Sequence, residues 1–102
     1  MKNIELSNRL EEIRLLCQKY HVISLAVFGS VLTDRFSPES DIDLLVDIDS
    51  SDPFTYTDYY FSLKENLEKL LNRPVDLLEK RALKNPNLIK RIENTQEFIY
   101  GR

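Results

Sequence analysis

Tryptophan is absent, and cysteine and histidine occur once each, as Cys17 and His21. A lone cysteine excludes an intrachain disulfide, so a reducing, cytoplasmic setting is expected. No apolar stretch approaches the ~20 residues of a membrane span, so no membrane association is expected. The N-terminal segment MKNIELSNRLEEI is amphipathic and acidic, unlike a signal peptide. Clustered positive charge is also missing. The net charge is −3 with no dense Lys/Arg run, which argues against a general nucleic-acid binder. Repeats, low-complexity tracts and interdomain linkers are lacking too. The 102 residues have room for one core, so a single domain over 1–102 is expected.

What is present centres on Val22 to Asp49. An apolar run, Ile23 to Phe28, closes on Gly29-Ser30. Asp41-Ile42-Asp43 then opens a second run, Leu44-Leu45-Val46. Both runs are short, partly β-branched and bounded by turn residues, so both read as strands. Alternate strand residues share a face, which projects Asp41 and Asp43 together, roughly 6–7 Å apart along the backbone. Carboxylates that close stay ionised most easily with a cation between them, and their hard oxygens suit magnesium. Gly29 lets backbone approach a ligand closely. Ser30 can start a short helix whose free N–H groups favour phosphate. These residues read as a metal–phosphate site.

Leu6, Leu10, Ile13 and Cys17 recur at helical spacing, so residues 3–20 are expected to form one amphipathic helix with Cys17 as buried filler. His21 falls at the boundary with the first strand. Nothing near it in sequence would orient it as a base. The front of Val31 to Ser40 suits a short helix, and Ser37-Pro38-Glu39-Ser40 a loop. There Asp34 and Glu39 read as solvated, and Arg35 as a phosphate ligand or a plain surface residue. Asp47 and Asp49 share the parity of the first pair. Six residues of strand, on the order of 20 Å, separate Asp41 from Asp47, too far for one site. They read as the exit turn.

Phe54 to Leu71 is expected to form a second long helix with Tyr56, Tyr60, Leu63, Leu67 and Leu70 as its stripe, ended by Asn72-Arg73-Pro74. Phe54, Tyr56, Tyr59, Tyr60 and Phe61 are more aromatics than one helical stripe buries, so an apolar patch beside the site is expected. Pro74 to Leu78 reads as a third strand, parallel to the second through the helical crossover. Asp76 then lies at the same sheet end as Asp41 and Asp43, as a site carboxylate or a strand-edge aspartate. Asn85-Pro86 caps a short helix carrying Leu88, Ile89 and Ile92. Glu97 to Tyr100 suits a final short strand. The expected fold is α/β, with a mixed three- to four-stranded sheet flanked by helices.

Gly29-Ser30, ten residues, then Asp41-Ile42-Asp43 resembles the signature of the DNA polymerase β-type nucleotidyltransferase superfamily. The short length is similar to its minimal (MNT) branch, the MntA-like antitoxins paired with HEPN-domain toxins. The resemblance covers nearly the whole chain and ends in the Phe98-Ile99-Tyr100-Gly101 tail. It implies the polymerase β-type fold, ATP as substrate and two magnesium ions, with manganese as a substitute. Asp41, Asp43 and Asp76 would be the catalytic and metal-binding carboxylates, with Gly29 and Ser30 on the β- and γ-phosphates. The implied reaction is attack of a hydroxyl on the α-phosphate with loss of pyrophosphate, the acceptor being a tyrosine of a HEPN-type toxin. Modification of a small molecule such as an aminoglycoside, and toxin masking without chemistry, stay open as alternatives. Many members carry arginines just after the Gly-Ser pair, where this chain has Val31, Leu32 and Thr33.

Overall fold

Two strands, ten of whose fourteen residues are Val, Ile, Leu or Ala, form the centre of the sheet and are buried over most of their length. In the computed structural model, which describes residues 4–29 and 41–101, the order is α1 (Ile4–Asn8), α2 (Leu10–Lys19), β1 (Val22–Phe28), β2 (Ile42–Ile48), α3 (Pro53–Leu71), β3 (Val75–Glu79), a 3-10 turn (Lys80–Ala82), α4 (Pro86–Thr95) and β4 (Glu97–Gly101). One four-stranded sheet runs β3-β2-β1-β4. β1 is antiparallel to β2 and β4, and β2 is parallel to β3. This is the mixed sheet expected from the sequence, with the final strand included.

The expected helix over 3–20 is broken. Arg9 leaves helical geometry at φ −113° and ψ 9°, separating α1 from α2. The apolar stripe survives the break, since Leu6, Ile13 and Cys17 are all buried against the sheet. His21 follows α2 in the left-handed region (φ 56°) and stacks on Tyr59 with ring centroids 5.0 Å apart. It is a boundary residue.

α3 starts where Asp52 accepts from the Thr55 N–H at 3.0 Å and the Thr55 hydroxyl at 2.6 Å, with Pro53 in the first turn. These bonds, the hydroxyl's first, hold the Asp52 carboxyl below its ordinary range. The helix ends at Asn72, which takes the left-handed conformation (φ 54°) that Asn tolerates better than most residues. Between these caps Tyr56, Leu63, Leu67 and Leu71 point into the core with Leu44, Val46, Val75 and Leu77. Asn85 caps α4 as expected, accepting from the N–H groups of Asn87 and Leu88 at 3.0 and 3.4 Å. Ile92 is the buried anchor of α4. At the edge beside β1, a Cβ on Gly101 would run into the Ile23 carbonyl, so this glycine (φ 61°) permits the close β1–β4 contact. No helix among the described residues is long and apolar enough to cross a membrane.

Candidate functional site

Strand pairing decides which acidic residues meet. The last residue of β1, Phe28, lies opposite Asp43 in the antiparallel register, and Asp43 lies beside Asp76 in the parallel one. Neighbouring strands are ~4.8 Å apart and register partners share a face, so the Asp43 and Asp76 side chains stand side by side. Gly29 follows Phe28 directly, at φ 77°. A Cβ there would collide with Asp43 Oδ2 and lie 3.2 Å from Asp43 Cγ, so the Gly29 backbone packs on that carboxylate. Any other residue would be strained in φ and would push Asp43 aside. Asp41, exposed, sits just ahead of β2. Ser30, the other expected phosphate ligand, lies outside the described residues. So does the whole of Val31 to Ser40, with its expected helix and loop and with Asp34, Arg35 and Glu39.

The electrostatics agree with this crowding. Burial, then the charges of Asp76 and Asp41, push the Asp43 carboxyl above its ordinary value. The carboxylates are neighbours and not a closed cage: among the described residues no three His, Cys, Asp or Glu side chains form a ready-made metal group. The donor chemistry nevertheless fits a hard divalent cation. All the donors are carboxylate oxygens, and their mutual repulsion is relieved by positive charge.

Asp47 and Asp49 lie at the other end of the sheet. Asp47 is within β2, opposite Ser24, and so is strand and not exit turn. The Asp49 N–H donates to the His21 carbonyl at 2.8 Å, closing the far end of the β1–β2 pair. His21 is therefore remote from Gly29. Packing takes up part of the expected aromatic patch. Tyr56 is buried and Tyr59 and Tyr60 are half-buried, leaving Phe54 (83% exposed) and Phe61 (60% exposed). α3 begins beyond Ile48, so Phe54 stands at the opposite end of the sheet from Asp43, roughly 17 Å of strand away. Phe61 follows roughly 10 Å along the helix, which runs back toward the Asp76 end, and its ring lies 5.1 Å from that of Tyr60.

Three side chains that sequence reasoning left without a site role hold this framework. The Arg81 guanidinium donates to the carbonyls of Ile48 (2.6 Å) and Ser50 (3.1 Å) and lies 4.0 Å over the Tyr56 ring. Tyr60 and Glu68 bond to the backbone of β3 on either side of Asp76. No local pattern announces such contacts, because they join residues 7 to 33 positions apart. A groove of about 320 Å³ lies on the Asp43 face of the sheet, under α4. Ala26, Leu45, Leu83, Ile92 and Phe98 line it.

Residues 10–99 match the nucleotidyltransferase domain family. A candidate protein adenylyltransferase of Methanocaldococcus jannaschii is 39% identical over 87 residues, covering 85% of this chain and 84% of that one. The structure of a candidate minimal nucleotidyltransferase superposes with a TM-score of 0.77 at 30% identity, covering 95% of both chains. The fold is also shared, at a TM-score of 0.64 and 20% identity over 94% of this chain and 72% of the other, with a complex of a tri-AMPylated Shewanella oneidensis HEPN toxin and its MNT antitoxin.

Proposed function

The chain belongs to the nucleotidyltransferase domain family, and from that premise we propose that it moves AMP from ATP to a hydroxyl of a HEPN-type partner protein, acting as that protein's antitoxin. One observation carries the reading: Asp43 and Asp76 are register partners on adjacent strands, with Gly29 packed against Asp43. Such an arrangement suits phosphate on the glycine side and an attacking hydroxyl on the Asp76 side.

Asp41, Asp43 and Asp76 are the residues that would hold magnesium, which when bound offsets their charge and that of the triphosphate. Gly29, lacking a Cβ, lets the β- and γ-phosphates approach the end of β1, and Ser30 adds its hydroxyl. The acceptor oxygen attacks the α-phosphorus. A new O–P bond forms, the bond to the oxygen bridging the α- and β-phosphates breaks, and its electrons leave with pyrophosphate. The acceptor proton passes to Asp76.

A protein acceptor is favoured by the exposed apolar rings along α3. Phe54 and Phe61 are exposed apolar anchors spread along α3, from the far end of the sheet at Phe54 back toward Asp76 at Phe61, whose ring lies 5.1 Å from that of Tyr60. A protein held on those rings can present a tyrosine at Asp76, whereas a polar, polycationic aminoglycoside has no apolar surface to match them. The HEPN toxin of the structurally similar complex carries AMP groups and is bound by its MNT antitoxin, and that relation is extended here to this chain.

The test uses ATP labelled in either the α- or the γ-phosphate, with magnesium, the purified chain and a HEPN-domain protein from the same organism. Label from the α-phosphate should appear on the partner, and γ-label should be released as pyrophosphate. Transfer of γ-label would identify a kinase instead. Labelling of an aminoglycoside with the partner left unlabelled would establish the small-molecule reaction. Tight partner binding with no label transferred would establish masking without chemistry.

A further inference from the structure

β3 is an edge strand, and an edge leaves backbone groups without a neighbouring strand. The Pro74 carbonyl turns inward, where it accepts from the Ile42 N–H at 3.2 Å. Alternation along the strand then turns the Val75 N–H and the Leu77 carbonyl outward, one on each side of Asp76. Two side chains of α3 take up these two groups. Glu68 Oε2 accepts from the Val75 N–H at 3.0 Å, and the Tyr60 hydroxyl donates to the Leu77 carbonyl at 2.6 Å.

We propose that Tyr60 and Glu68 are positioning residues for Asp76, fixing the edge strand on both sides of that carboxylate and so setting its place beside Asp43. The inference rests on the reading that Asp76 serves AMP transfer. Asp76 is exposed, so side-chain packing does little to hold it. Its location is inherited from the backbone of β3, which has a strand on one side only. Both clamps are half-buried, and each ties β3 to the helix that anchors the opposite side of the core. A bond to a carboxylate is shorter and stronger than one between neutral groups, which suits Glu68 to the outward N–H. Tyr60 needs only its hydroxyl, since its ring already belongs to the apolar side of α3. The same two bonds occupy edge groups that an added strand would need.

Small displacements of a reacting group are costly, and removing a partner that orients a metal ligand commonly costs about 10–100-fold. Tyr60→Phe and Glu68→Ala should each lower kcat about tenfold, with KM for ATP within about twofold, because the nucleotide side of the site is untouched. Amide hydrogen exchange supplies a readout independent of activity. In Glu68→Ala the Val75 N–H should exchange at least about tenfold faster while amides of β1 stay protected. Glu68→Gln, whose amide oxygen still accepts, should restore both protection and rate. Wild-type exchange at Val75 together with wild-type kcat in Glu68→Ala and Tyr60→Phe would overturn the inference, and an inactive Asp76→Asn would then leave the transferase reading standing. Faster exchange spread uniformly over the sheet would mark general destabilisation and count against a positioning role. Full activity of Asp76→Asn would remove the role of that carboxylate and this inference with it.

Discussion

Asp43 concentrates the conflict between stability and function. Burial and its two acidic neighbours make the folded protein hold the Asp43 proton to higher pH than the unfolded chain does. Its stabilising contribution is therefore complete below the ordinary value of 3.8 and is lost as pH rises through the elevated folded value. Asp43→Asn, which cannot ionise, should melt roughly 2–4 °C above the metal-free wild type at pH 7, a modest gain because solvent screens a half-exposed group. The advantage should vanish near pH 3. Added magnesium should raise the melting temperature of the wild type more than that of the variant. Thermal melts at both pH values check this, and a variant less stable at pH 7 would contradict the crowding. Cys17 illustrates the opposite outcome of burial, a side chain with no site role. Its thiol is pushed up to about 12 by desolvation. A thiol reagent at pH 8 should leave the folded protein unlabelled and react fully after denaturation. Rapid labelling of folded protein would show that the α2 stripe is not packed as described.

At the scale of elements, period and punctuation were legible and long-range polar contacts were not. α3 was readable because its apolar residues recur at helical spacing between an Asp-Pro start and an Asn-Arg-Pro stop. The break at Arg9 was not, since Leu6, Leu10, Ile13 and Cys17 keep one stripe across it. The bonds of Tyr60 and Glu68 to β3 were invisible for another reason: they exist only once helix and strand are docked. α3 also presents the two rings that packing leaves over, Phe54 and Phe61. If these anchor the partner, Phe54→Ser with Phe61→Ser should weaken binding at least about tenfold, the usual scale for aromatic anchors. The melting temperature should hardly change, because neither ring is in the core. Calorimetric titration with the HEPN-type partner checks this. An unchanged Kd would place the interface elsewhere, with the apolar groove under α4 the next surface to probe.

For the whole molecule, strand parity and one crossover were enough to bring Gly29, Asp41, Asp43 and Asp76 to one end of the sheet. An antiparallel β1–β2 pair sets the end of β1 against the start of β2. The α3 crossover then returns β3 parallel to β2, so Asp76 arrives beside Asp43. The same topology distributes the exposed aromatics of α3. A crossover helix begins where its preceding strand ends and then runs back, so Phe54 lies away from the Asp43 end while Tyr60 and Phe61 return toward Asp76. The central claim is that these carboxylates transfer AMP to a protein hydroxyl. The most direct measurement is the intact mass and peptide map of the HEPN-type partner, co-expressed with the wild-type chain or with Asp43→Asn. The account predicts one or more additions of AMP mass on a partner tyrosine with the wild type and none with Asp43→Asn. An unmodified partner in both cases, or equal modification in both, would contradict it.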